Sequence, residues 1–181
     1  MKKEDAEGIK SEAIHTEPIL YVSCGVPGSG KSTFLKKHIG SDEFIISRDE
    51  IRFGLLKENE EYFSHENEVF DKFIDEIIYL IKQGKNVYAD ATHLNARSRD
   101  KLIWSINARE PELLSHIEAI FFDVPIDICL ERNEYRKGTK AYVPRGVIRR
   151  MYSQLEIPNP MNEPLKHCWI INKDGEVSKY F

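Results

Sequence analysis

Residues 19–33, ILYVSCGVPGSGKST, run from an apolar, β-branched stretch straight into a glycine-rich turn that closes on Gly30, Lys31 and Ser32. Each part has a physical reason. Gly25, Gly28 and Gly30 leave room for backbone amides to converge on a polyphosphate, and Gly30 opens a helix whose positive dipole end faces that anion. Lys31 is spaced to reach β- and γ-phosphates, and the Ser32 hydroxyl is placed to ligate Mg²⁺. The amphipathic run STFLKKHI follows at once, so the motif sits between strand and helix as the mechanism requires. Gly25, Val26, Pro27, Gly28, Ser29, Gly30, Lys31, Ser32 and Thr33 are therefore the expected nucleotide contacts, with ATP and Mg²⁺ as cofactors.

Working outward, the chain has 181 residues, 41% of them hydrophobic, enough to bury one sizeable core. Residues 1–18 are polar, alternate in charge and end at Pro18, which predicts a flexible leader before a single domain over 19–181. No stretch approaches the roughly 20 apolar residues that span a bilayer, so no membrane role is expected. Cys24, Cys129 and Cys168 are far apart and each sits in an apolar run, which predicts buried free thiols in a reducing cytoplasm. The six histidines show no ligand spacing that would suggest a structural metal.

The net charge of -4 excludes a protein that coats nucleic acid by bulk phosphate neutralisation. The charge is uneven, however. Between positions 132 and 150, Arg132, Arg136, Lys137, Lys140, Arg145, Arg149 and Arg150 face only Glu134, a basic stretch suited to phosphates.

Strand and helix patterns alternate. Strands are expected at 19–24, 44–47 (FIIS), 86–90 (NVYAD), 117–124 (IEAIFFDV) and 167–172 (HCWIIN). Helices are expected from Lys31 to Ile39, from Arg48 behind a Ser47/Glu50 capping box, over 60–83, from Asn95 to Ala108, from Pro125 to Lys137 and from Pro144 to Leu155. In the third of these, Val69, Phe70, Phe73, Ile74, Ile77 and Ile81 form a core stripe that Gly84 terminates. Trp104 and Trp169 lie in apolar runs and read as core. The implied architecture is α/β, a P-loop NTPase fold with a parallel five-stranded sheet, helices on both faces and an arginine-bearing lid.

In such a sheet the ligand lies past the carboxyl ends of the strands, and polar residues gather there. Asp49 and Arg52 project from one face near a helix start, where a carboxylate could take a proton while a guanidinium grips an anion. Asp90 closes an apolar strand and could meet Ser32 or a Mg²⁺-bound water. Thr92 and Asn95 suit capping of the next helix, and Asp123 suits a turn before Pro125. Arg132 and Arg136 are four apart on one helical face before a glycine loop, the arrangement of a lid that closes over phosphates.

The segments GVPGSGKST, SRDEIR, DATHLNARSRDKL, FDVPIDICLERN and RKGTKAYVPRGVIRRMY occur in this order between residues 19 and 157. Together they resemble the kinase domain of bacteriophage-type polynucleotide 5′-hydroxyl kinases, a P-loop, AAA-like family. The resemblance implies that Asp49 is the general base on the attacking 5′-hydroxyl and that Arg52 holds the acceptor's adjacent 3′-phosphate. It further implies lid roles for Arg132 and Arg136 on the ATP side, with Arg136 at the transferring group, and a place near the acceptor for Asp90. The expected function is ATP- and Mg²⁺-dependent transfer of the γ-phosphate to the 5′-hydroxyl end of a nucleic acid, as in end repair. Two rivals remain at this stage: a P-loop kinase of small-molecule hydroxyls, resembling zeta toxins, and an ATP-dependent binding module that is no kinase.

Overall fold

A computed structural model describes residues 17–181. The leader expected over 1–18 lies, apart from Glu17 and Pro18, outside the described residues. The chain runs β1 (Leu20–Cys24), α1 (Lys31–His38), β2 (Glu43–Ser47), α2 (Arg48–Leu55), α3 (Glu66–Lys82), β3 (Asn86–Asp90), α4 (Ala96–Arg109), β4 (Ile117–Asp123), α5 (Ile126–Glu134), α6 (Arg145–Tyr152), β5 (His167–Asn172) and β6 (Val177–Lys179).

The sheet has the order β2-β3-β1-β4-β5-β6. The first five strands are parallel, as their apolar runs predict for strands covered on both faces. The sixth is a correction to the expected five. It pairs antiparallel with β5 through a tight turn at Gly175 (φ 82°), and its three residues, VSK, are too short and polar to carry a strand pattern.

Period-two alternation sends each strand's side chains to two cores. Leu20, Val22, Val87, Ala89, Ala119 and Phe121 pack under the α3 stripe (Phe73, Ile74, Ile77, Ile81) and Leu102, Ile103 and Ile106 of α4. Tyr21, Tyr88, Ile120, Phe122 and Trp169 pack under Phe34 and Leu35 of α1. At about 1.5–3 kcal/mol for each large apolar side chain buried, these stripes supply most of what holds the helices to the sheet. A smaller cluster of Val26, Val124, Cys129, Leu130 and Ile148 fixes the glycine turn against α5 and α6.

The three cysteines are free and buried, and Trp169 is buried as expected. Trp104 is not core: it is 71% exposed. The buried face of α4 carries Arg99, Leu102, Ile103 and Ile106, and position 104 points away from it. α3 begins at Glu66 rather than at 60, because residues before Val69 supply no core stripe and the chain turns through Asn59 (φ 68°) instead. α5 and α6 stop about three residues before their expected ends. Ser47 does cap α2, accepting from the Glu50 amide, but Glu50 turns its carboxylate to Lys36 at 2.9 Å, so only half of the expected box forms. The complete box lies at α4, where Asn95 and Ser98 bond reciprocally.

Candidate active site

The glycine turn adopts the left-handed conformations only glycine takes without strain, φ 85° at Gly28 and 94° at Gly30. Gly28 also lies against the next layer, since a Cβ there would fall 2.2 Å from the Cys129 carbonyl oxygen. Lys31 folds over the turn and its Nζ donates to the carbonyl oxygens of Gly25 (2.8 Å) and Val26 (3.0 Å). Ser29 Oγ lies 3.4 Å from the same Nζ. Val26 is buried and Pro27 half-buried, so these two support the turn, while Ser32 and Thr33 are exposed in the first turn of α1.

Ser32 Oγ donates to Asp90 Oδ2 at 2.6 Å, joining the P-loop helix to the end of β3. Burial pushes the Asp90 carboxyl above its ordinary range, and the Lys31 charge and the Ser32 hydroxyl work against that rise. Burial lowers the Lys31 ammonium; the negative charges of Asp90 and Asp49 oppose the shift and the Arg136 charge adds to it. Asp49, Asp90 and Arg136 thus all lie within electrostatic reach of one lysine.

Register explains how two of them meet there. Ser47 pairs with Asp90 across β2 and β3, so α2 starts beside Asp90 and carries Asp49 in its first turn. Asp49 is exposed and bonded by Arg52 on one side, with Tyr62 donating to its Oδ1 at 2.8 Å. Arg52 is 4% exposed, its Nη2 donates to Glu66 Oε2 at 2.9 Å, and its guanidinium stacks 4.4 Å from the centre of the Tyr62 ring. The Arg52 Nε, buried, has no hydrogen-bond partner among the described residues. Arg48 pairs with the other Glu66 oxygen.

On the opposite side, Arg132 Nη2 donates to the Lys173 carbonyl at 3.1 Å, and its Nη1 would sit 3.4 Å from a Cβ on Gly30. That places it over the start of α1. Arg136, half-buried, has no side-chain hydrogen bond or ion pair among the described residues. Thr92 contributes through its backbone, accepting from the Gly25 amide at 2.9 Å, and Asp123 is exposed at the end of β4.

The family described as AAA domain matches residues 20–158, from β1 through the whole of this constellation. The chain belongs to that family. As an AAA domain with a P-loop kinase fold it belongs to a nucleotide-binding class of proteins. A protein of Autographa californica nuclear polyhedrosis virus, named as a bifunctional polynucleotide kinase/RNA ligase, is 28% identical over 178 residues, covering 88% of this chain and 25% of its own length. A chain in the structure of the Pnkp1/Rnl/Hen1 RNA repair complex superposes with TM-score 0.64 at 27% identity, covering 81% of this chain and 46% of that one. A sugar kinase from Janibacter sp. shares the fold at TM-score 0.55 and 17% identity, covering 87% of this chain and 86% of its own. This AAA domain thus spans about a quarter of the viral relative and under half of the repair-complex chain.

Four residues of the domain's site region escaped the sequence reading. Tyr62 and Glu66 meet Arg52 only because the chain turns back between α2 and α3, for which no local pattern exists. His93 is buried with Nδ1 2.9 Å from the Ser23 carbonyl oxygen, and burial drops its pKa to about 4, so it is a neutral support under the P-loop strand. Arg99 is fully buried and pairs with Glu163 through Nε (2.6 Å) and Nη2 (2.8 Å). A signal did exist there: position 99 shares the helical spacing of Leu102, Ile103 and Ile106.

Proposed function

We propose that this domain transfers the γ-phosphoryl group of ATP to the 5′-hydroxyl of a polynucleotide, with Mg²⁺ as cofactor. The observation that carries the reading is the place of Asp49: an exposed carboxylate on the first turn of α2, within the field of Lys31 and held by Arg52 and Tyr62. Similarity to the viral polynucleotide kinase/RNA ligase and to the repair-complex chain supports the choice of acceptor.

In this scheme the loop amides and Lys31 hold the triphosphate, and Asp49 accepts the proton of the attacking hydroxyl. A new oxygen–phosphorus bond forms as the bond from the γ-phosphorus to the bridging oxygen breaks, and ADP leaves with the negative charge. Arg136 stabilises charge on the moving group and Arg132 steadies the nucleotide over Gly30. The Ser32 hydroxyl and Asp90 carboxylate are hard oxygen donors side by side, a pair that fits Mg²⁺ held by the serine and, through water, the aspartate. Bound there, the ion supplies neutralisation of phosphate charge. Arg52 still has its Nε–H and one Nη2–H for an acceptor phosphate.

The burial of Arg52, with three of its N–H groups engaged, favours a second reading in which the acceptor is a small alcohol with no neighbouring phosphate. A labelled-ATP assay over 5′-hydroxyl and 5′-phosphate oligonucleotides, nucleosides and sugars separates the two. Label on 5′-hydroxyl oligonucleotides, lost in Asp49→Ala with ATP affinity retained, is the expected result. Folded protein that labels no oligonucleotide under Mg²⁺ overturns the polynucleotide reading.

A further inference from the structure

The Tyr62 hydroxyl lies 2.8 Å from Asp49 Oδ1 and 2.8 Å from Arg52 Nη1. The roles at this junction follow from chemistry alone. A guanidinium can only donate and an ionised carboxylate can only accept, so the hydroxyl takes a hydrogen from Arg52 and gives its own to Asp49. Asp49 Oδ1 therefore accepts from both Arg52 and Tyr62, while Oδ2 accepts from no other group among the described residues.

The ring that carries this hydroxyl is fixed on three sides. Its face stacks on the Arg52 guanidinium at 4.4 Å, and Phe53 and Phe63 approach edge-on with centroids at 6.1 and 4.8 Å. The segment leading to it is stapled by Glu60, whose Oε2 accepts from the Lys57 amide and lies against His65 Nε2, both at 2.8 Å. Burial, with the Asp49 carboxylate beside it, pushes the Tyr62 phenol well above the ordinary tyrosine range. The phenol is thus a permanent donor in the working pH range.

We infer that Tyr62 is a positioning residue: it holds Asp49 through Oδ1 and leaves Oδ2 as the atom that takes the hydroxyl proton. The inference rests on Asp49 being the general base of the proposed reaction. Without the phenolic hydrogen bond the carboxylate keeps only Arg52 and can rotate about its χ angles, so the fraction of Oδ2 aligned with an incoming hydroxyl falls.

Two measurements test it. The first compares Tyr62→Phe in the native and in the Asp49→Asn background; the phenylalanine keeps the stack on Arg52 and loses only the hydroxyl. Expected is a fall in kcat of about tenfold in the native background with KM for ATP unchanged, and no further fall beyond about twofold when Asp49 is already Asn. Equal losses in both backgrounds, or none in either, overturn the inference, because a merely structural tyrosine would act regardless of Asp49. The second is independent of any acceptor: the ultraviolet pH titration of the whole chain minus that of Tyr62→Phe isolates one phenol. It is expected to ionise above the ordinary tyrosine value of about 10 and to move down in Asp49→Asn. A Tyr62 transition that ignores Asp49 overturns the inference; absence of transfer to any oligonucleotide, with this coupling intact, instead sinks the polynucleotide reading alone.

Discussion

Ser32 Oγ donates to Asp90 Oδ2 across 2.6 Å, so a hydrogen bond ties the first turn of α1 to the carboxyl end of β3 within the field of Lys31. Asp90 is buried, and burial raises its carboxyl despite the nearby lysine. A carboxyl raised in the folded state binds its proton more tightly there than in the unfolded chain. Its contribution to stability is therefore present at low pH and is lost as pH rises through the raised value. Asp90→Asn keeps an acceptor for Ser32 and removes the charge. Thermal melts should show the variant at least as stable as the native chain at neutral pH, the difference closing on acidification towards about pH 4. Phosphoryl transfer should fall by about 10²-fold, with a steeper dependence on Mg²⁺ concentration. A variant less stable at neutral pH than at acid pH, relative to the native chain, contradicts this account.

Gly28→Ala should be far worse than Gly30→Ala, although both residues have positive φ. An added Cβ at Gly28 would meet the Cys129 backbone oxygen at 2.2 Å, whereas at Gly30 the nearest atom is Arg132 Nη1 at 3.4 Å, the movable end of a long side chain. The left-handed conformation costs alanine about 1–2 kcal/mol at either site. Only Gly28→Ala also displaces backbone of α5, so its total loss should exceed about 2 kcal/mol in urea unfolding and nucleotide binding should vanish with it. Gly84→Ala is the control for strain alone, since nothing lies within 4 Å of its Cβ. Equal costs at all three would show that the close packing of the P-loop on α5 carries no energy.

Arg99 and Glu163 form a buried, two-bond ion pair that also receives the Asn159 amide, holding the segment after α6 against the start of α4. Arg99 Nη1 reaches the His93 carbonyl at 3.1 Å, linking this strap to the strand end beside the P-loop. Removing one partner leaves the other charge buried and unpaired, which costs about 3–5 kcal/mol. Arg99→Leu should therefore unfold at markedly lower denaturant. The double variant Arg99→Leu with Glu163→Leu should recover much of that loss, because no orphaned charge remains. Additive losses in the double variant would mean that packing volume, not charge pairing, sets the cost.

What the sequence made legible follows from the range of the forces involved. Parallel strands covered on both faces must be apolar, so β1, β3, β4 and β5 show as apolar runs; β2, at one edge with no fully buried residue, shows only as the short FIIS, and β6, a three-residue strand at the other edge, not at all. The P-loop is readable because its chemistry is contiguous, and Asp49, Arg52 and Asp90 stand out as candidates because they follow strand ends, where a parallel sheet gathers function; the structure joins Asp49 to Arg52 and Asp90 to Ser32. Tyr62 is invisible for the converse reason. It lies in a turn with no period, and its value depends on a fold-back that brings it ten residues away to Arg52. Trp104 misleads because an apolar run fixes no helical face: the stripe through Leu102, Ile103 and Ile106 turns position 104 to solvent.

Arg132, in the last turn of α5, and Arg136, in the turn just past its end rather than on the one helical face expected, should fail in different ways. Arg132 is already anchored, to the Lys173 carbonyl and over Gly30, so in the proposed reaction it contacts the nucleotide in its resting state. Arg136 has no bonded partner among the described residues, yet its charge reaches Lys31 strongly enough to help lower the ammonium. In the proposed reaction, a guanidinium left free near the P-loop lysine would meet charge that develops during transfer rather than charge already present. Steady-state kinetics should separate the two roles. Arg132→Ala should raise KM for ATP several-fold with little change in kcat, since it removes binding common to ground and transition states. Arg136→Ala should lower kcat by about 10²–10³-fold with KM for ATP nearly constant. Lysine at 136 should restore only part of the loss, because a point charge cannot reproduce the planar fork on a phosphoryl group. A KM effect at 136 and a kcat effect at 132 would reverse the assignment and place the lid the other way round.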